Sequence, residues 1–378
     1  MEKAGLYIHI PFCEKKCHYC DFTSVAGNRD LIDRYVRYLI NEIKMVSAAY
    51  GKIQIETIFI GGGTPSVLSE SSLETIMEAV GNGFSLDRNA EISIEINPGT
   101  LTHQKALGYR KAGINRASVG IQSMNNSLLG TIGRIHNEDQ VIATVKNLRR
   151  AGFDNINGDL MFGLPHQSID DFRVTLEKTA LLDLEHISMY GLILEENTPL
   201  YGWHERGLVS VPTEDQEREM YHLGIDFLKK KGYLQYEISN FAKKGHECRH
   251  NMGYWLLKPY IGVGISSHSS MEGRRYWNTS GFGEYFQKLD EDTLPIEGEE
   301  TITKDMMETE YLILGIRLKD GISVDDYEKR FKASFMGKYG EAMAKHMDSG
   351  LLVLTDGNIR LTEKGMDLSN QVEMDFLP

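Results

Sequence analysis

Nowhere in these 378 residues does an uninterrupted apolar stretch approach the roughly 20 positions of a membrane span, so an integral membrane helix is not expected. A targeting segment is not expected either, because Met1 to Phe12 carries Glu2, Lys3 and His9 and runs straight into a cysteine cluster. Positive charge is scarce. Against 54 Asp and Glu stand 41 Lys and Arg, and the net charge of -13 repels polyanions such as nucleic acid unless a local basic face compensates. Four cysteines do not staple a chain of this size, and without a secretory context a disulfide framework is not expected. There is no internal repeat or low-complexity tract. What is present, 41% hydrophobic and 25% charged residues, suits a cytoplasmic protein with one large domain and a smaller one. Peripheral membrane contact and a dimeric state are left open.

Three of the four cysteines, Cys13, Cys17 and Cys20, crowd into eight residues. Thiolates at Cys-x3-Cys-x2-Cys spacing can bind three irons of a 4Fe-4S cubane and leave the fourth without a protein ligand. A structural zinc site is the alternative, with His18 or His9 completing a Cys3His tetrahedron. A zinc knuckle would normally add a second cysteine pair downstream, and here Cys248 stands alone. The spacing resembles that of the radical S-adenosylmethionine (SAM) enzymes. That resemblance implies an open iron that chelates the amino and carboxylate groups of SAM, whose C–S bond an electron from the cluster cleaves.

Up to about residue 195, strand-like and helix-like stretches alternate, the pattern of βα units in a parallel sheet. Six strands are predicted: 5–10, 53–60, 90–96, 116–121, 155–161 and 186–194. Leu31, Ile32, Tyr35, Val36, Leu39, Ile43 and Val46 repeat at helical spacing. A second helix is expected to open at a Ser71-x-x-Glu74 capping box, and a third, through Val141, Val145 and Leu148, to close near Gly152. Six units fall short of a closed eightfold barrel. The expected fold is therefore α/β, an incomplete (β/α)6 barrel with its site where loops leave the C-terminal strand ends.

The suggestive motifs fall at those ends. After strand two comes Gly61-Gly62-Gly63-Thr64-Pro65, which lacks a phosphate-loop lysine but allows close backbone approach to a ligand. Strand three ends in Glu95-Ile96-Asn97-Pro98, strand four in Gly120-Ile121-Gln122-Ser123, and strand five carries Asp159. Polar groups converging on one rim suit ribose hydroxyls and an ammonium, although each alone could be a structural cap.

Together with Leu6-Tyr7-Ile8-His9-Ile10-Pro11-Phe12-Cys13 and Arg134, these motifs resemble the family of oxygen-independent coproporphyrinogen III dehydrogenase and its relatives, over nearly the whole chain. The resemblance implies that Tyr7, Gly62, Gly63, Thr64, Glu95, Gln122, Arg134, Asp159 and Gly191 surround SAM. Arg134 also suits a carboxylate by its fork geometry. Two departures separate the chain from the dehydrogenase: Phe22 stands where that enzyme has a fourth cysteine, and Tyr7 lies almost at the start. These, with His250-Asn251-Met252-Gly253-Tyr254-Trp255, resemble the HemW type of haem chaperone, whose signature is His-Asn-x-x-Tyr-Trp. The implied function is binding of haem as cargo and its transfer to acceptor proteins. The competing reading is a radical SAM enzyme that acts on a porphyrin, decarboxylating coproporphyrinogen III or opening haem.

His250 is the leading candidate contact for haem, since imidazole is a good axial iron ligand, and Tyr254 and Trp255 offer flat faces to a macrocycle. Cys248 is read as a small buried apolar residue. Residues 196–299 are expected to form a helix and small-sheet extension, with a Thr213-x-x-Gln216 capping box, a helix end at Lys229-Lys230-Lys231-Gly232, an alternating strand over Tyr233 to Ile238, and close backbone approach at Gly262 and Gly264. The lysine run is a solvated helix end, or more weakly a hold on haem propionates. Residues 300–378 are expected to be helical and winged-helix-like, with a hairpin turning at Asp356-Gly357. From Thr301 to Pro378, 10 Lys and Arg stand against 14 Asp and Glu, so this segment lacks a basic face and is read as a lid or docking surface.

Overall fold

The computed structural model describes residues 2–26, 29–50 and 53–377. Six parallel strands lie in sequence order: β1 (Lys3–Ile10), β2 (Gln54–Gly62), β3 (Ser85–Ile96), β4 (Arg116–Gln122), β5 (Ile156–Phe162) and β6 (His186–Gly191). Alternate residues face opposite sides. Leu6, Ile8, Ile58, Ile60, Ile92, Ile94, Val119, Ile121 and Ile187 form the outer core with the surrounding helices. The other face is polar and carries Thr57, Glu91, Ser93, Glu95, Arg116, Ser118, Asn157, Asp159, His186 and Ser188.

β1 and β6 do not pair with each other, so the barrel is open. Instead, Tyr260–Val263 adds to β1 in parallel and Asn240–Ala242 adds to β6 antiparallel, within one twelve-stranded sheet. The small sheet expected in the extension therefore continues the barrel sheet. Gly262 and Gly264 permit this. A Cβ on Gly262 would lie 2.2 Å from the His268 carbonyl oxygen, and Gly264 has φ +96 with Tyr35 Oη 2.4 Å from its would-be Cβ.

The first helix, Arg29–Tyr50, buries Tyr35, Val36, Leu39, Ile43 and Val46 as its spacing predicts. The second, Glu70–Gly83, corrects its expected start: Ser69 is the N-cap and accepts from Ser72 N, while Ser71 lies inside the helix. A run of three nearby serines offers rival caps, and the frame is set by Leu73, Ile76, Met77 and Val80 facing the core. Glu138–Arg150 ends before Gly152 at φ +87, and Thr213 and Gln216 form the expected capping box of Glu214–Lys230. Two strands are shorter than expected. β6 stops at Gly191 because Leu192 and Leu194 pack with Met161, Leu164 and Leu200 in a satellite cluster. Of the stretch from Tyr233 to Ile238 only Leu234–Gln235 is a strand, and Tyr236 turns its hydroxyl to His186 Nε2 at 2.8 Å.

The C-terminal part has the winged-helix order: Lys304–Ile316, a short strand, Val324–Phe331, Phe335–Asp348, then a hairpin of Leu352–Thr355 and Asn358–Leu361. Its own core gathers Leu312, Tyr327, Phe331, Phe335, Ile359 and Phe376. Asp356 and Gly357 both have positive φ, 53 and 78, as a type I′ turn requires. No described helix is long and apolar enough to cross a membrane.

Candidate functional site

The cysteine loop leaves the C-terminal end of β1 and docks on the loop that follows β2. Gly63 N donates to Ile10 O at 2.9 Å, Thr64 N to Phe12 O at 2.7 Å, and Phe12–Cys13 pairs with Val25–Ala26. Only glycine fits here: a Cβ on Gly63 would stand 2.6 Å from Phe12 O and 3.0 Å from Cys13 Sγ, and Gly62 has φ +115 with His9 2.6 Å from its would-be Cβ. Arg134 ties the loop from the other side. Its Nη2 donates to Gly120 O at 2.6 Å and to Asn97 Oδ1 at 2.7 Å, and its Nη1 lies 3.7 Å from Cys17 Sγ.

Cys13, Cys17 and Cys20 open onto one cavity of about 400 Å³. Gly62, Gly63, Thr64, Glu95, Gln122, Arg134 and Asp159 line the same cavity, so the structure brings together most of the expected rim. Tyr7 and Gly191 are not on its wall. Tyr7 Oη bonds His9 Nδ1 at 3.0 Å behind Phe59, and Gly191 packs on Phe162 at the end of β6. Burial, then the Asp159 carboxylate, pushes Glu95 up to about 8, against the 3.1 Å bond it accepts from Gly62 N. Burial also raises Asp159, opposed by hydrogen bonds from Asn157, Ser188 and Ser118. Two carboxyls held above their usual range in one cavity suit a cationic ligand, which would favour their ionised forms.

The thiols suit a cluster better than a single ion. Among the described residues no three His, Cys, Asp or Glu side chains converge at metal-ion spacing. A cubane gives each cysteine its own iron, so its sulfurs stand farther apart than ligands around zinc. The histidines that would complete a zinc site are engaged elsewhere: His9 bonds Tyr7 and the Thr23 carbonyl at 3.0 Å each, and His18 Nδ1 bonds the Thr131 carbonyl at 3.1 Å. Burial pushes the Cys20 thiol up to about 11, and a thiolate there needs the positive partner that bound iron would be.

The His-Asn-x-x-Tyr-Trp segment lies elsewhere, on the helix Arg249–Trp255 that plugs the N-terminal end of the barrel. Glu91 caps this helix, accepting from Arg249 N and His250 N at 3.0 Å each. His250 is 3% exposed, with Nδ1 on Thr57 Oγ1 and Nε2 on Tyr254 Oη, both at 2.9 Å, and its ring stacks on Phe59. Trp255 reaches the C-terminal part, where the Arg317 guanidinium lies 5.2 Å from its ring centroid. Of this signature only Asn251 lines the cysteine cavity. Sequence reasoning quoted Asn97 and Asn251 within motifs without giving either a role, and it passed over Arg116 and Tyr190. Asn97 donates to Thr64 Oγ1 at 2.8 Å and Tyr190 to Gln122 Oε1 at 3.0 Å. The inward direction of Asn97 and Arg116 could be read from the period of two, once Glu95 and Gln122 were taken as inward.

The Radical SAM superfamily profile matches residues 7–179, and the HemN C-terminal domain profile matches residues 302–368. Over 374 residues the chain is 38% identical to the "Heme chaperone HemW" of Lactococcus lactis subsp. lactis (strain IL1403), covering 98% of this chain and 96% of that one. The chain belongs to the HemW family. A second relative of that name, from Bacillus subtilis (strain 168), is 35% identical over 98% of each chain. The HemW relative from Escherichia coli (strain K12) is 40% identical over 71% of this chain and 70% of that one. The coproporphyrinogen III oxidase HemN from Escherichia coli shares the fold with a TM-score of 0.89 at 23% identity, over 100% of this chain and 90% of that one. The chain thus has the fold of that oxidase, an open radical SAM barrel followed by a HemN-type C-terminal domain.

Proposed function

We propose that this chain is a cytoplasmic haem chaperone that binds haem and passes it to acceptor proteins, using a 4Fe-4S cluster and SAM at the barrel mouth. One observation carries the reading: in a chain 38% identical over 98% of its length to a Heme chaperone HemW, the His-Asn-x-x-Tyr-Trp helix sends Asn251 into the cavity whose mouth holds the three cysteines. Cys13, Cys17 and Cys20 would hold the cluster. Gly62, Gly63, Thr64, Glu95, Gln122, Arg134 and Asp159 would hold SAM, with Tyr7 and Gly191 supporting the wall from behind. When bound, the cluster can supply an electron for cleavage of the SAM C–S bond. Asn97 orients Arg134 and Thr64 through its side-chain amide. His250, Tyr254 and Trp255 remain the candidates for haem, and ligation by His250 requires its bond to Thr57 or to Tyr254 to open. We divide the chain into the barrel at 1–195, the extension at 196–299 and the C-terminal domain at 300–378.

The test is anaerobic reconstitution followed by haem titration and product mass analysis. The reading expects a new Soret band, haem gained by an acceptor from the loaded chain, and an unchanged tetrapyrrole mass with SAM and reductant. Absence of haem uptake by the pure protein defeats it.

A further inference from the structure

Arg116 opens β4 and is only 2% exposed, yet among the described residues its guanidinium makes no hydrogen bond or ion pair, and its Nε is a buried donor without a partner. A guanidinium stays charged under all ordinary conditions, so a buried one without an acceptor is costly. The nearby acids are committed elsewhere. Glu91 accepts from Arg249 N, His250 N and, at 3.6 Å, the Cys248 thiol, while Asp159 accepts from Asn157 at 2.7 Å and Ser118 at 3.1 Å.

Arg116 lines the cysteine cavity from below. Along β4 the inward positions run Arg116, Ser118, Gly120, Gln122, so its Cα lies roughly 20 Å beneath the mouth at about 3.3 Å per residue. Asn251 reaches the same cavity from the plugging helix, and its side-chain amide has no hydrogen-bond partner among the described residues. The two share one cavity wall with Ser118, Asn157 and Ser188. A fork of guanidinium donors beside a free amide is the arrangement that recognises a carboxylate.

We propose that Arg116 and Asn251 form a carboxylate-binding subsite on the cavity floor, below the ring of groups at the mouth. The carboxylate is a propionate of haem, so the subsite rests on the function proposed above. The deciding experiment titrates the full reconstituted chain with haem, haem dimethyl ester and SAM, in wild type, Arg116→Met and Asn251→Ala. The variants are expected to lose roughly tenfold to a hundredfold in affinity for haem. The diester and SAM should bind all three proteins alike. That pattern supports the subsite. Should Arg116→Met fail to fold, Asn251→Ala decides, because its side chain has no hydrogen bond to lose. Unchanged affinity for haem overturns the subsite, and so does an equal loss for haem and its diester, which marks a collapsed cavity. Wild type that takes up no haem defeats the function itself, whereas uptake that both variants leave unchanged defeats the subsite alone.

Discussion

His250→Gln separates a structural role of the signature histidine from a ligand role. Burial, helped by the Arg116 charge, lowers its pKa to about 3, so the imidazole is neutral in the folded chain over the whole physiological range. In the unfolded chain it titrates near 6.5. Between those values the unfolded state takes up a proton that the native state refuses, so stability falls as pH falls, by about 1.4 kcal/mol per unit once well below 6.5. Glutamine removes this proton uptake. At neutral pH the variant should be weaker by about 1–3 kcal/mol, because a flexible amide cannot keep both 2.9 Å bonds and the stack on Phe59. Towards acid the difference should shrink and then reverse. Urea unfolding of the cluster-free chain at several pH values between about 4 and 7.5 measures this; His9, His136 and His186 also carry lowered pKa values but contribute equally to both proteins. Parallel stability curves would refute the reasoning. They would place the native imidazole in water, where it could reach haem iron without the helix opening.

Gly63→Ala should lose most of its iron on reconstitution, because the new methyl collides with Phe12 O and crowds Cys13 Sγ; iron and sulfide equal to wild type would contradict this. Cys248→Ser should retain wild-type iron, since burial pushes that thiol up to about 12 and it points at Glu91; a halved iron content would make it a ligand. Arg134→Lys should weaken SAM binding by about tenfold in calorimetry, because one ammonium cannot replace a fork that bridges Gly120 O, Asn97 Oδ1 and the Cys17 sulfur; an unchanged isotherm would show the fork to be dispensable.

Most of the barrel could be read in the sequence because its signals are local. Period-two strands, an amphipathic helix through Leu39 and Ile43, and capping at Thr213 each depend on a few neighbouring residues. Where neighbours compete, the local reading slips. Ser69 and Ser71 are equal as hydroxyl acceptors for a first-turn N–H, and only the position of Leu73 against the core selects the first. The continuation of the sheet into the extension was out of reach. Tyr260–Val263 pairs with β1, more than 250 residues away, and its four residues carry no mark of that partner.

For the site, legibility followed depth. The mouth is built from loops with unusual composition, three cysteines and three glycines, and such strings announce themselves. The floor is built from single inward residues spaced two apart, in which Arg116 reads like any charged residue at a strand's solvent end. What makes it exceptional is closure from below by Arg249–Trp255, a helix held in place by Glu91 and by the bond between Thr57 and His250. The same helix supplies Asn251 to the cavity and sets Trp255 beside Arg317 of the C-terminal part. A ligand that displaced His250 from Thr57 would therefore disturb the cavity floor and the C-terminal contact together, because all three anchors sit within two turns of one helix.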